Sequence, residues 1–363
     1  MPQRIVFFAG IVYDVNYHPS RNVDAARAGC SLAKGFISYA NADKQGKGLF
    51  MNCNICPRNC SVDRTGQAGY CGVVDSTADS GSFLIARAAL HMWEEPCISG
   101  SRGSGAVFFG GCNLRCIYCQ NHEIAIGHTG IYILADRLSE AILRLQEQGA
   151  NNINLVTPSH YIPKLVPVLE KLRRDSLTIP VVCNTSAYDS VDTLKQLDGL
   201  VDVYLPDYKY SSSALAARYS NAPDYPSIAQ NAIVEMLRQV GSPRFQKQYE
   251  DGSYSSPFTS EAGSMVSGVI IRHLVLPGHT EESKQALSLL YHTFGDRVYI
   301  SIMNQYTPCR SNLPDQLNRT LTPEEYDEVV SYAEAIGIQY GFIQEGETAK
   351  ESFIPPFSKL EGI

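Results

Sequence analysis

Ser104-Gly-Ala-Val-Phe-Phe-Gly-Gly111 runs directly into Cys112-Asn-Leu-Arg-Cys116-Ile-Tyr-Cys119, and the fold turns on this stretch. The first half is a short apolar run ending in two glycines, the pattern of a buried strand that stops in a tight turn. The second half is C-x₃-C-x₂-C with an aromatic just before the last cysteine. Three thiolates this close can hold three irons of a 4Fe–4S cluster and leave the fourth iron open to a ligand. An open metal position is a place for chemistry. The loop follows a strand's carboxyl end, where α/β barrels and open α/β sheets carry their active sites.

Working outward, apolar runs recur at Ala106–Phe109, Ile153–Val156, Ile179–Cys183, Val201–Leu205, Val269–Leu276 and Val298–Ile302. They are continuous and rich in β-branched residues, as parallel strands buried on both faces are. Helical patterns lie between them. Over Asp136–Gln148 the apolar face is Leu138, Ala141, Ile142 and Leu145; over Thr280–Phe294 it is Ala286, Leu287, Leu290 and Phe294. Thr322-Pro-Glu-Glu325 supplies an N-cap, a first-turn proline and a capping-box glutamate, and Gly337 ends that helix. The alternation predicts an α/β fold, a partial (β/α)6 TIM-like barrel. Arg244–Gly268, rich in Ser, Gly and Pro, reads as a surface loop or substrate lid.

The strand ends carry polar residues. Thr157-Pro-Ser-His160, Asn184-Thr-Ser186, Pro206-Asp207-Tyr-Lys209, Arg272-His273 and Asn304-Gln305-Tyr306 all fall at or near the ends of predicted strands. Taken singly, each has a structural reading as a helix cap, a surface pair or a satisfied histidine. Together, facing one open-iron site, they form a candidate cavity.

Upstream lies a second cysteine set, Cys53-x₂-Cys56-Pro-Arg-Asn-Cys60 and Cys71-Gly72. Four thiolates among turn residues suit a four-coordinate metal, zinc or an iron–sulfur cluster, which would stabilise a segment with little apolar core. Cys97 stands alone and reads as a small buried apolar group. The chain divides into an N-terminal extension (1–48), a small Cys-rich metal-binding segment (49–99), the core (100–345) and a C-terminal tail (346–363). Ile5–Val12 reads as a strand or buried extension, Val23–Ala40 as a broken helix and Asn41–Gly48 as a linker.

Of 363 residues, 44% are hydrophobic and 18% charged, which allows one large domain with a sizeable core. The net charge of −7 without a basic block argues against nucleic acid or an anionic membrane as the main partner. Seven of the 11 cysteines cluster at metal-type spacings, so a reducing cytoplasm is expected.

C-x₃-C-x-aromatic-C after a first strand resembles the radical S-adenosylmethionine (SAM) superfamily. More narrowly, the chain resembles the branch related to pyruvate formate-lyase activating enzyme, the PflX-like group. That similarity runs from about Cys53 to Gln344 and includes both cysteine sets. It also takes in Trp93-Glu-Glu-Pro96, Asn152-Ile-Asn-Leu-Val-Thr-Pro-Ser-His160, Asp207-Tyr-Lys209 and Arg272-His-Leu-Val-Leu-Pro-Gly278. The resemblance implies an oxygen-sensitive oxidoreductase in which Cys112, Cys116 and Cys119 hold the cluster and SAM chelates the open iron. Reductive cleavage of SAM would give methionine and a 5′-deoxyadenosyl radical that takes a hydrogen atom from the substrate. It places Tyr118 near adenine, Thr157 and His160 near the SAM amino group, and Asn184 and Ser186 at the ribose. Asp207 and Lys209 match an Asp-x-Lys motif whose lysine pairs with the SAM carboxylate, with Arg272 a further candidate for that task. The implied partners are a flavodoxin- or ferredoxin-type electron donor and a protein or peptide substrate, a glycyl-radical enzyme in the first instance. The alternatives are radical modification of a peptide or small molecule and, in another class, a non-catalytic iron–sulfur or zinc protein. The last would need a fourth protein ligand beside Cys112, Cys116 and Cys119, and Cys97 is the nearby candidate.

Overall fold

The polar strand ends and the apolar runs that precede them are parts of one sheet. The computed structural model describes residues 5–7, 53–74, 82–127, 129–248, 254–255, 263–344 and 362. In chain order the strands are β1 (Ile5–Phe7), β2 (Phe83–His91), β3 (Ser104–Phe109), β4 (Ile131–Ile133), β5 (Ile153–Val156), β6 (Val181–Thr185), β7 (Val203–Pro206), β8 (Arg244–Gln248), β9 (Tyr254–Ser255), β10 (Ser264–Leu274), β11 (Tyr299–Met303) and β12 (Gly341–Gln344). The helices are α1 (Pro96–Ser99), α2 (His122–Ala125), α3 (Ala135–Glu147), α4 (Ile162–Asp175), α5 (Val191–Leu194), α6 (Ser213–Ser220), α7 (Tyr225–Val240), α8 (Thr280–Phe294) and α9 (Pro323–Ala335).

The sheet runs β1-β12-β11-β10-β7-β6-β5-β3-β2-β4. From β3 to β12 every neighbouring pair is parallel. β1, β2 and β4 join the flanks antiparallel. This mostly parallel α/β sheet is consistent with a radical SAM partial barrel. All six predicted strands are present, and β12 is a seventh parallel one.

Side chains alternate across the strands with a period of two. Val107, Leu155, Cys183, Tyr204, Ile271 and Ile300 join the large core that also holds the buried faces of α3, α4, α7, α8 and α9. The opposite face carries Val182, Val203, Leu205, Ile270, Tyr299 and Phe342 as a second apolar cluster. Further along this face, toward the carboxyl ends, lie Asn184, Asp207, Arg272, Ser301 and Gln344. The apolar floor excludes water and the polar rim remains for ligands. The capping box on α9 forms as read: Thr322 accepts from the Glu325 N–H, and Glu325 accepts from the Thr322 N–H.

Several expectations change. β2, within the segment read as 49–99, pairs with β3 and β4 and so joins the core sheet. Arg244–Gly268 is not wholly loop. β8 pairs antiparallel with the start of β10, which runs beyond the barrel and offers it a backbone partner; β9 pairs with β8. The strand read as Ile179–Cys183 is shifted to β6, after Pro180, which places Asn184 inside the strand. Ile5–Phe7 is a strand, paired to β12. The expectations for 8–12, 23–40 and 41–48 lie outside the described residues, as does nearly all of the 346–363 tail. No helix is long and apolar enough to cross a membrane among the described residues.

Candidate active site

β3 ends at Gly110 and Gly111, and Gly111 takes φ +90°, a conformation that strains residues with a side chain. A Cβ there would also lie 2.5 Å from Val73 Cγ2 and 2.8 Å from the Cys71 carbonyl, so the turn is fitted against the Cys-rich segment. The chain then enters the cysteine loop. Asn113, fully buried, donates from Nδ2 to the Tyr188 carbonyl at 2.6 Å, and the Ile117 N–H donates to the Tyr219 carbonyl at 2.9 Å. These bonds hold the loop across the barrel mouth. Cys112, Cys116 and Cys119 line a cavity of about 250 Å³ there.

The loop also supplies donors to its own sulfurs. The Leu114 and Arg115 N–H groups point at Cys112 Sγ, at 3.4 and 3.5 Å, and Ser220 Oγ donates to Cys116 Sγ at 3.0 Å. Burial pushes the Cys116 and Cys119 thiols up. Lys209 pulls both the other way, toward the thiolate that binds metal.

The strand ends close the cavity from the opposite side. Asp207 accepts from Lys209 Nζ at 2.8 Å and from Arg272 Nε at 2.9 Å. Arg272 extends further, donating to Glu94 Oε2 at 3.0 Å and to Asn184 Oδ1 at 2.6 Å. Asn154 Nδ2 donates to the other Glu94 oxygen at 2.8 Å. The result is a buried chain Lys209–Asp207–Arg272–Glu94 of alternating charge. Burial opposes the ionised form of Asp207, but Lys209 and Arg272 outweigh it and hold the carboxyl below its ordinary value. Burial likewise opposes the Lys209 ammonium, and the nearby Asp207 and Cys116 raise its pKa nonetheless. Burial raises Glu94 and Glu95, with Arg272 working against it.

Of the predicted site residues, Tyr118, Thr157, Asn184, Ser186, Asp207, Lys209 and Arg272 line this same cavity with the three cysteines. Tyr118 is held edge-on by Tyr210, Tyr219 and Tyr306, with ring centroids 6.2–6.3 Å away. His160 does not line it. Its Nε2 meets the Gly110 carbonyl at 2.9 Å and its ring lies against Tyr161, so it braces the turn from behind. Cys97 does not line it either and packs into the apolar inner-face cluster. Gln305, from the Asn304–Tyr306 strand end, lines the cavity as expected, whereas Glu94, Gln120 and Gln344 line it and were not predicted to. Glu94 lies in the Trp93–Pro96 stretch that carries part of the family resemblance, which is the one signal that could have found it.

Cys53, Cys56, Cys60 and Cys71 lie near one another. A Cβ on Gly69 would sit 3.4 Å from both the Cys60 and Cys71 sulfurs. Burial pushes the Cys56 thiol up to about 12, and the Cys71, Cys53 and Cys60 sulfurs add to that rise. None of the four lines the cavity. The segment instead braces the loop. The Cys71 carbonyl accepts from the Cys112 N–H at 3.1 Å, and Arg64 Nη1 donates to the His160 carbonyl at 2.9 Å. Arg58 donates to the carbonyls of Asn113, Leu114, Ser220 and Asn221.

Among the described residues, no three His, Cys, Asp or Glu side chains converge on a point that would hold a single metal ion. The three loop cysteines suit a different geometry, in which each thiolate binds its own iron around a cluster. N–H and O–H donors on their sulfurs fit ligands that carry negative charge. Ser186 Oγ, buried on the cavity wall, has no hydrogen-bond partner among the described residues, which fits a polar ligand beside the cysteines.

The model of the radical SAM superfamily matches residues 106–244, from β3 to the start of β8. The uncharacterized protein MJ0674 of Methanocaldococcus jannaschii is 28% identical over 297 residues, covering 79% of this chain and 76% of that one. Among solved structures, Streptococcus suis SuiB bound to S-adenosylmethionine is similar at 12% identity and TM-score 0.42, over 66% of this chain and 50% of SuiB. SuiB bound to the precursor peptide SuiA is similar at 13% identity and TM-score 0.40, over 65% and 47%. The chain thus spans about half the length of these structures. The family match supports a likeness to the radical SAM superfamily over residues 106–244.

Proposed function

We propose that this chain is a radical SAM enzyme of the glycyl-radical-activase type, abstracting a hydrogen atom from a protein glycine. The observation that carries the radical SAM assignment is the shared cavity. Three cysteines with donors on their sulfurs face a rim of Thr157, Asn184, Ser186, Asp207, Lys209 and Arg272 across one space. Cys112, Cys116 and Cys119 would hold the cluster, which would supply the electron for reductive cleavage of SAM.

The chain's residues bind and orient. Lys209 and Arg272 are cations lining the same cavity as the cysteines, suited to the SAM carboxylate. Asp207 fixes both of them, so a ligand meets charges already in place. Ser186 Oγ is available to a ribose hydroxyl, and the Tyr118 ring forms an apolar wall for adenine. The apolar floor of Val182, Val203, Ile270 and Phe342 keeps water away from a radical. The activase reading rests on the Asp207-x-Lys209 motif and on the PflX-like stretches from Cys53 to Gln344. A peptide substrate is the second reading. A flavodoxin- or ferredoxin-type protein is the proposed electron donor. The Cys53–Cys71 set, which does not converge on a single-ion point, is proposed as a second iron–sulfur site that supports the loop from behind.

The test is anaerobic reconstitution with iron and sulfide, followed by dithionite and SAM. Methionine and 5′-deoxyadenosine are expected, and Cys116→Ala loses both. Their absence from a protein with a verified cluster would overturn the assignment. A glycine-centred radical signal on an added glycyl-radical enzyme separates the activase reading from modification of a small precursor peptide.

A further inference from the structure

The carboxyl end of α6 is bound to the cysteine loop more tightly than a neighbouring helix needs to be. Tyr219 O accepts from the Ile117 N–H at 2.9 Å. Arg58, reaching in from the Cys-rich segment, donates to Asn113 O at 2.7 Å and to Ser220 O at 2.8 Å, so one guanidinium ties the loop to the helix end. Its guanidinium carbon lies 4.0 Å from the centre of the Tyr70 ring, which holds it in place. This latch sets one side chain against the loop. Ser220 Oγ lies 3.0 Å from Cys116 Sγ and 2.8 Å from Tyr210 Oη. Ser220 is 2% exposed and Tyr210 fully buried, so bulk water does not compete for either hydroxyl. Cys116 offers only acceptor capacity as a thiolate, so the Ser220 proton goes to sulfur; Tyr210 bonds Ser220 Oγ and also reaches Cys116.

We infer that Ser220, paired with Tyr210 and positioned by Arg58, tunes the reduction potential of the cluster held at Cys116. The inference rests on the radical SAM reading above. A hydrogen bond to a cluster sulfur favours the state with more negative charge, which is the reduced one. Removing the donor therefore drives the potential more negative and makes the cluster harder to reduce. Ser220 touches a ligand atom and not the substrate, so it is a positioning and tuning residue.

The experiment compares reconstituted full-length wild type with Ser220→Ala, Ser220→Gly, Ser220→Thr, Tyr210→Phe and Ser212→Ala. Iron and sulfide content are measured first, and then the midpoint potential by anaerobic redox titration followed by electron paramagnetic resonance, without SAM. Ser220→Ala is expected to keep its iron and shift the redox equilibrium about tenfold toward the oxidised state, ~59 mV for one electron. Tyr210→Phe shifts it the same way by less, and Ser220→Thr, which keeps the hydroxyl, restores it. Ser212 caps the same helix by accepting the Leu215 N–H and is remote from the sulfur, so Ser212→Ala leaves the midpoint unchanged. Equal midpoints for Ser220→Ala and wild type at equal iron content overturn the inference, as does an equal shift in Ser212→Ala. If Ser220→Ala takes up no iron, Ser220→Gly decides: a negative shift supports the inference and an unchanged midpoint overturns it. A wild type that takes up no cluster overturns this inference and the proposed function together. A wild type that binds the cluster and cleaves SAM while the variants titrate alike overturns this inference alone.

Discussion

The two cysteine sets have similar spacing and opposite situations. Cys112, Cys116 and Cys119 sit where a parallel strand ends, their sulfurs on a cavity wall that Lys209 and Arg272 also line. Cys53, Cys56, Cys60 and Cys71 lie behind that loop, off the cavity, and their segment gives it a carbonyl from Cys71 and a guanidinium from Arg58, while Arg64 bonds the His160 carbonyl. Spacing brings sulfurs together in both cases. What faces them decides whether the thiolates meet a ligand or support the loop that does.

The comparison breaks most sharply at Cys116. Cys116→Ala is expected to reduce 5′-deoxyadenosine formation to background. Cys71→Ala should retain the cluster at the loop and show its effect as a lower melting temperature. Equal loss of cluster iron in both would mean that the sets are not separable. Next in size is Arg272→Met, which leaves Asp207 and Glu94 buried without their shared cation. Breaking such a buried pair costs about 3–5 kcal/mol, and chemical denaturation would read it directly. Gly111→Ala tests the contact between the two regions. The positive φ and the crowding by Val73, Cys71 and His160 predict a loss of roughly 1–3 kcal/mol, together with weaker iron retention. An unchanged stability would mean that the turn is not braced by the Cys-rich segment.

The smallest effect is a pH dependence on the bracing side. Burial lowers His160 from 6.5 to about 3. The unfolded chain therefore takes up a proton below pH 6.5 that the folded chain refuses until near pH 3. Stability from this group is complete above pH 6.5 and falls as pH drops through that window, by at most about 1.4 kcal/mol per pH unit. His160→Gln should flatten part of the fall between pH 6.5 and 4.5 in urea midpoints. His91, lowered by burial to about 4, and His273, also lowered by burial, add to the fall. An identical acid limb in the variant would show that His160 does not carry it.

Much of the fold could be read locally. The β-branched runs located all six predicted strands, and Thr322 and Glu325 located the start of α9, because strand burial and helix capping are written in adjacent residues. Elements defined by a distant partner could not be read. β8 forms because β10 extends past the barrel, and β2 is part of the core because β3 and β4 flank it.

By itself, the sequence determined the chemistry of the cysteine loop and the polarity of the strand ends, since spacing along a chain fixes which donors can share a cluster. Tertiary structure alone decided which of those residues meet. Glu94 and Arg272 are 178 positions apart, and Ser220 and Cys116 are 104 apart. A salt bridge or a hydrogen bond between such residues leaves no local pattern to read. His160 and Thr157 belong to one strand-end run, yet only Thr157 lines the cavity. Which way a side chain points there depends on how the turn packs against Gly110 and Arg64, and those contacts exist only in the folded chain.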